Sequence, residues 1–385
     1  MPFDPQREDY QRMGLLFANS LTTTNPVEVA RSFAKFGRQF AQDRDKLPQT
    51  DDDRAFHLVA NATALIDYQL PFASDAQAQK LIDQAHVALE EALKLDPRNP
   101  DALRMERASQ IPSFEGYYDY LREHREEARA TCEERAQRAR EAYDGDRQGL
   151  ACMLAMAPYL RWLAALASKA IVCGHNHAAL DYCHDLLDLD PTDAAGANRS
   201  AAIAYAKLED QEGLTGLLPQ VHGRTARPAE VRDAWLLISL CALCYKNYDL
   251  DGAQQLVDAL CRSYPHAPIT LYLQRELPDG VFSRLAVDQG SEDELILAVS
   301  ECTVLLQEGR DSSARGSFGA WMMREADKRL TSEDRRSLQD FLSEEAAGEG
   351  AQAPLDDRGG SGVQGPGSSP DPGVGPGPLS DGGRG

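Results

Sequence analysis

Sheet is what this chain has least of. Nowhere in its 385 residues does a run of alternating Val, Ile, Thr and aromatic side chains stand between hairpin-turn residues, so an architecture of strands is not expected. A basic balance is missing as well. With 61 Asp and Glu against 40 Lys and Arg the net charge is −21, which would repel a nucleic-acid backbone or an anionic membrane and leaves a protein or peptide, preferably basic, as the expected partner. The opening stretch "MPFDPQREDYQRMG" lacks the positive patch, apolar run and small-residue cleavage site of a secretory signal, and the chain is expected in the cytoplasm. Its eight scattered cysteines then read as reduced thiols. One segment, Leu150 to Cys173, approaches membrane-span length, but Pro158, Arg161 and Lys169 interrupt it. It is expected to form a pair of buried helices. No nucleophile elbow, phosphate loop after a strand, or His-Glu-x-x-His is present, so the chain is not expected to be an enzyme or to hold a cofactor.

Helix signals, by contrast, run throughout. "TNPVEVARSFAKFGRQFAQDR" places Asn25 as N-cap, Pro26 at the first helical position and Glu28 in the first turn, ahead of Val29, Phe33, Phe36 and Phe40 at helical spacing. "DDDRAFHLVANATALIDYQL" makes the next helix, and another starts near Ser74. Three segments end alike, at Pro97, Pro191 and Pro265. Twelve residues before each proline stand Ala85, Ala179 and Ala253; eight before, Leu89, Cys183 and Val257; five before, Ala92, Leu186 and Leu260. Those intervals put three apolar residues, the first of them small, on one helical face, and the proline ends the helix. Upstream, Leu166, Ala167 and Ala170 precede Pro191 as Leu240, Cys241 and Cys244 precede Pro265, so the unit is a helical hairpin. Gly174 falls at its turn.

The combination of Leu166, Ala167, Gly174, Ala179 and Pro191 resembles the tetratricopeptide repeat, a stackable pair of antiparallel helices. "DLDPTDAAGANR", "YPHAPITLYLQRELPDG" and "GSEDELILAVSECTVLL" further resemble the helical-repeat region of the suppression-of-tumorigenicity type tetratricopeptide proteins and their bacterial relatives, over roughly residues 150 to 310. The resemblance implies an all-α fold, a superhelical array of antiparallel helix hairpins forming an α-solenoid. It also implies a non-catalytic scaffold or adaptor that binds a protein or peptide in its groove. By register, Arg161, Ser168, Asn198, Tyr205, Trp235 and Tyr245 are the residues expected to face that groove. Asn198 would bond a peptide backbone, Arg161 would pair with a carboxylate, and Trp235 and Tyr245 would supply apolar anchors or else pack on the next unit.

The expected organisation is therefore N-terminal helices packing on the array (1–70), a first repeat-like unit (71–114), a long charged helix (115–147), the main array (148–345), and a tail (346–385). The stretch from Ala347 holds 13 glycines and 6 prolines in 39 residues and is expected to be disordered. The charged helix carries one apolar stripe, Cys132, Ala136, Ala139 and Tyr143; it packs on the array or mediates self-association. The alternative to a scaffold is a metal-binding enzyme or sensor using His175, His177 and Cys183, from the cluster "CGHNHAALDYCH". Against it, Cys183 holds the position of Leu89 and Val257, and Cys241 and Cys244 those of Ala167 and Ala170, so the repeat accounts for thiols as compact apolar filler and no metal is expected.

Overall fold

The computed structural model describes residues 3–218, 233–277, 280–309 and 315–350, without the side chains of 75, 76 and 344–350. Among them are eighteen α-helices and no strand. The chain divides into two units, Met1–Arg335 and Arg336–Gly385; of the second only the helical residues 336–350 are described, and the disorder expected of the tail falls, from 351 on, outside the described residues.

Capping explains where the N-terminal helices begin. Helix α1 (Pro5–Ser20) is capped by Asp4, whose carboxylate accepts from the Gln6 and Arg7 amides. Helix α2 (Pro26–Asp43) starts at Pro26 behind Asn25, which accepts from the Val27 amide. Helix α3 (Asp51–Thr63) opens on a reciprocal capping box between Thr50 and Asp53. It unwinds through a wide π turn (Ala64–Gln69) before α4 (Asp75–Leu95) folds back along it. Helix α5 (Pro100–Gln110) follows, and Ala55, Phe56, Val59, Ala85, Leu89 and Ala92 meet in a core between α3 and α4.

The charged stretch departs from the single helix expected. It forms α6 (Phe114–Glu123) and α7 (Arg125–Ala142), broken at His124. The Leu121 carbonyl, which a continuous helix would pair with the Arg125 amide, instead accepts from Trp162 Nε1 at 2.8 Å. Both helices thereby lie on α8 (Gly145–Val172), with Cys132 and Ala136 fully inside. Helix α8 corrects a second expectation, because it is one helix of 28 residues where a pair had been expected. Pro158 removes a donor from its interior, but the Leu154 carbonyl left without a partner accepts from Arg12 Nη2 at 2.9 Å. It is long and apolar enough to cross a membrane by length and composition, and 61% of that window is buried within the protein.

Beyond α8 run α9 (Asn176–Leu189), α10 (Ala197–Leu208), α11 (Gln211–Gly216), α12 (Ala234–Lys246), α13 (Leu250–Ser263) and α14 (Ala267–Leu273), then α15 (Glu292–Glu301), α16 (Thr303–Leu306), α17 (Ser317–Asp327) and α18 (Ser332–Gly350). Helix α8 packs on α9, α9 on α10, α10 on α12 and α12 on α13. Ala85, Ala179 and Ala253 are all buried on the second helix of such a pair, and after them α4, α9 and α13 end alike. The amides of Asp96, Asp190 and Tyr264 donate to the carbonyls of Ala92, Leu186 and Leu260, one residue ahead of Pro97, Pro191 and Pro265. The turns closing the first helices match as well. Gly174, Glu209 and Tyr248 take left-handed φ of 82°, 58° and 59°. The following amides reach back five residues, from His175 to Ala170, Asp210 to Tyr205 and Asp249 to Cys244, at 2.7, 3.0 and 2.9 Å. The middle turn, between α10 and α11, belongs to a hairpin that the proline-anchored sequence comparison steps over.

Candidate functional site

The first helices of these hairpins hold the residues expected to line a groove, and the structure sorts them into three kinds. Ser168 is exposed. Tyr205 and Tyr245 are half-buried: the Tyr205 ring lies against Gly213, and Tyr245 packs on Phe318 and Trp321 with ring centroids 5.5 and 5.3 Å away. Arg161, Asn198 and Trp235 are buried. Asn198 donates through Nδ2 to Asp193 at 2.9 Å, while its buried Oδ1 has no hydrogen-bond partner.

Arg161 is enclosed, its side chain at 0% exposure. Its guanidinium donates to Glu8 Oε2 on α1 at 2.8 Å and to Asp101 on α5 through Nε at 2.9 Å and Nη2 at 2.6 Å. Arg12 binds the same Glu8 at 2.7 Å and Arg104 approaches Asp101 at 3.4 Å. Burial alone would push the Asp101 carboxyl up, but the Arg161 guanidinium outweighs it and holds it below the usual carboxylate range. The same carboxylates hold Arg161 protonated against its own desolvation. This cluster ties α1, α5 and α8 together, in place of the open presentation to a ligand carboxylate.

What lies over Arg161 is another part of the same chain. Residues 280–287, between α14 and α15, run without helix or strand. The Phe282 ring sits 4.1 Å from the Arg161 guanidinium and 6.3 Å from the Phe56 ring, at 2% exposure. Its backbone is held from both sides. Asp67, in the π turn after α3, accepts from the Val281 and Phe282 amides at 2.8 and 3.2 Å. Arg104 donates to the Val281 and Phe282 carbonyls at 2.5 and 2.8 Å. Burial raises the Asp67 carboxyl above its ordinary value, an effect those two amides and Arg104 offset in part.

Two residues on, Arg284 enters a second polar pocket. It donates to both Glu301 oxygens at 2.8 and 2.9 Å, to the Ala195 and Gly196 carbonyls at 3.2 and 2.8 Å, and to Ser200 Oγ at 3.2 Å. Gly196, at a φ of 71°, leaves the space the guanidinium fills; a Cβ there would stand 2.0 Å from Arg284 Nη1. Trp235 forms the wall, donating from Nε1 to Glu301 at 2.7 Å under the Arg199 guanidinium, which is 3.9 Å from its ring. The sequence reading picked Arg161 and Trp235 and missed Asp67, Arg104, Phe282, Arg284 and Glu301. The one local signal was the "VFSR" after Pro278, Asp279 and Gly280, an aromatic and an arginine two positions apart in a loop.

The histidine and cysteine cluster does not assemble. Cys183 faces the core at 0% exposure, while His177 and His184 are on the surface. His175 stacks on Tyr118 and meets Glu115 through Nε2 at 2.9 Å. Burial pushes the Cys183 thiol up to about 12 and raises Cys241 well above its ordinary value, so both stay protonated. Among the described residues no group of three or more His, Cys, Asp or Glu is placed to hold a metal ion. Comparison of the chain with protein-family models, with curated proteins and with solved structures found no match to any of them.

Proposed function

We propose that this protein is a non-catalytic interaction scaffold of tetratricopeptide type, a superhelical stack of helix hairpins that binds a protein or peptide along the face carried by α8, α10 and α12. The observation that carries the reading is the equivalence of the three turns at Gly174, Glu209 and Tyr248, with their matching left-handed closures and five-residue backbone bonds. Hairpins turned alike stack side by side and bury faces that none buries alone. The net charge of −21 favours a basic partner over nucleic acid or an anionic membrane, and the cytoplasm suits the chain's unpaired thiols.

The test is affinity capture of the full chain from its native lysate after crosslinking. A partner recovered near one per chain, and lost when salt screens its basic surface, supports the scaffold. Failure to recover any protein above trace yield, crosslinked or not, overturns it.

A further inference from the structure

We propose that the cleft between Asp67, Arg104, Arg161 and Glu301 is a binding site for a short, bent peptide segment carrying an aromatic residue and, two positions on, an arginine, and that the chain fills this site with its own Val281–Arg284. The inference deepens the scaffold reading by giving the chemistry of its ligand.

Three features set this contact apart from a loop packed on a core. First, consecutive residues are gripped through the backbone on both sides, Asp67 accepting from the Val281 and Phe282 amides and Arg104 donating to both carbonyls. That holds a chain bent in this way by its backbone, whatever its side chains. Second, the two side chains that would confer specificity enter separate pockets. Phe282 lies on Arg161 and Phe56, and Arg284 donates five hydrogen bonds, to Glu301, Ser200 and the carbonyls before α10. An arginine in a fork of that kind is recognised by shape as well as charge. Third, apart from Glu301, which ends α15, 17 residues after Arg284, the receiving groups come from far along the sequence, on α3 and the π turn after it, α5, α8 and α10, so most of the cleft is a property of the folded array and does not need the segment's own neighbours to exist.

A segment tethered at both ends competes at an effective concentration in the millimolar range. Peptides of the same chemistry therefore bind the intact protein weakly, and a variant whose segment has lost its anchors binds them openly. The probe is a fluorescein-labelled octapeptide of sequence Gly-Val-Phe-Ser-Arg-Leu-Ala-Val, followed by anisotropy against the full chain. Binding to F282A/R284A at least tenfold tighter than to the unaltered protein is expected. Replacing Phe by Ala or Arg by Glu in the peptide should abolish that binding, as should adding E301Q to the protein. Absence of binding to a helical, cooperatively melting F282A/R284A variant overturns the proposal. If that variant does not fold, R284A alone decides in the same way, since it leaves Phe282 in place. Peptide binding without any captured partner sinks the scaffold reading and leaves this one; a captured partner indifferent to these substitutions does the reverse.

Discussion

Replacing Arg161 with methionine, R161M, removes the cation and roughly keeps the volume. Glu8 and Asp101 are 4% and 1% exposed, so neither carboxylate gains water in exchange. Each lost pair of charges about 4 Å apart is worth about 4 kcal/mol at an effective dielectric near 20. Arg12 still reaches Glu8 and Arg104 still stands by Asp101, which compensates part of the loss. The net cost expected at neutral pH is about 3–5 kcal/mol, the range for removing one member of a buried pair. The sign of its pH dependence follows from the shifts. In the unaltered protein Asp101 titrates below its ordinary value, so its contribution is complete above about pH 4 and is lost as the pH falls through the lowered value. Without Arg161 burial is opposed only by the remaining Arg104 and Arg12 and the same carboxyl moves up, so the variant regains stability as the pH falls through the raised value. The assay is urea unfolding followed by helical circular dichroism at pH 7.5 and 4.5. The deficit should be largest at the higher pH and smaller by at least about 1 kcal/mol at the lower. The triple variant E8Q/D101N/R161M should recover much of the loss. A deficit below about 1 kcal/mol at pH 7.5, or one that grows on acidification, refutes the reasoning.

Other outcomes follow from the turns, the thiols and the histidines. Tyr248 holds a φ of 59° that glycine adopts without strain, so Y248G should raise stability by up to about 1 kcal/mol, and G174A, at a φ of 82°, should lower it by about 1 or more, both read from thermal melts. Iodoacetamide at pH 8 should label half-buried Cys152 and, more slowly, Cys173 and Cys244, whose thiols burial pushes up, while sparing Cys183, Cys241 and Cys302 until urea unfolds the chain, as tryptic mass spectrometry would show. Elemental analysis should find less than about a tenth of a metal ion per chain, a figure unmoved by H175A/H177A, since histidines on the surface and a thiol in the core do not make the four convergent ligands of a structural site.

The parts of this fold legible in the sequence are those fixed by residues close together. Caps at Asn25 and Ser74, the apolar faces at Ala85, Ala179 and Ala253, and the helix ends before Pro97, Pro191 and Pro265 all rest on intervals of a dozen residues or fewer. What eluded the reading depends on distant partners. Pro158 signals a break unless a donor arrives from elsewhere, and Arg12 is that donor, more than a hundred residues away. The charged stretch reads as one helix unless the indole of Trp162 takes the Leu121 carbonyl. The α10 to α11 hairpin hides because its closing residue is Glu209 in place of glycine. Periodicity puts Arg161 and Trp235 on the groove side of their helices, where the structure buries both, and it is silent on what they meet there: Glu8, Asp101, Phe282 and Arg284, none of them closer than sixty residues to Arg161 nor, for Arg284, within forty of Trp235.

Val281–Arg284 occupies the cleft as a separable bound segment if it can leave without unfolding the helices around it. Hydrogen exchange on the full chain, resolved to peptides by mass spectrometry, measures this directly. Peptides spanning 280–287 should be protected in the unaltered protein and should exchange at least tenfold faster in D67N/R104Q, while α12 stays as protected as before. Equal, rapid exchange of 280–287 in both proteins, or loss of protection in α12 together with the segment, would contradict it.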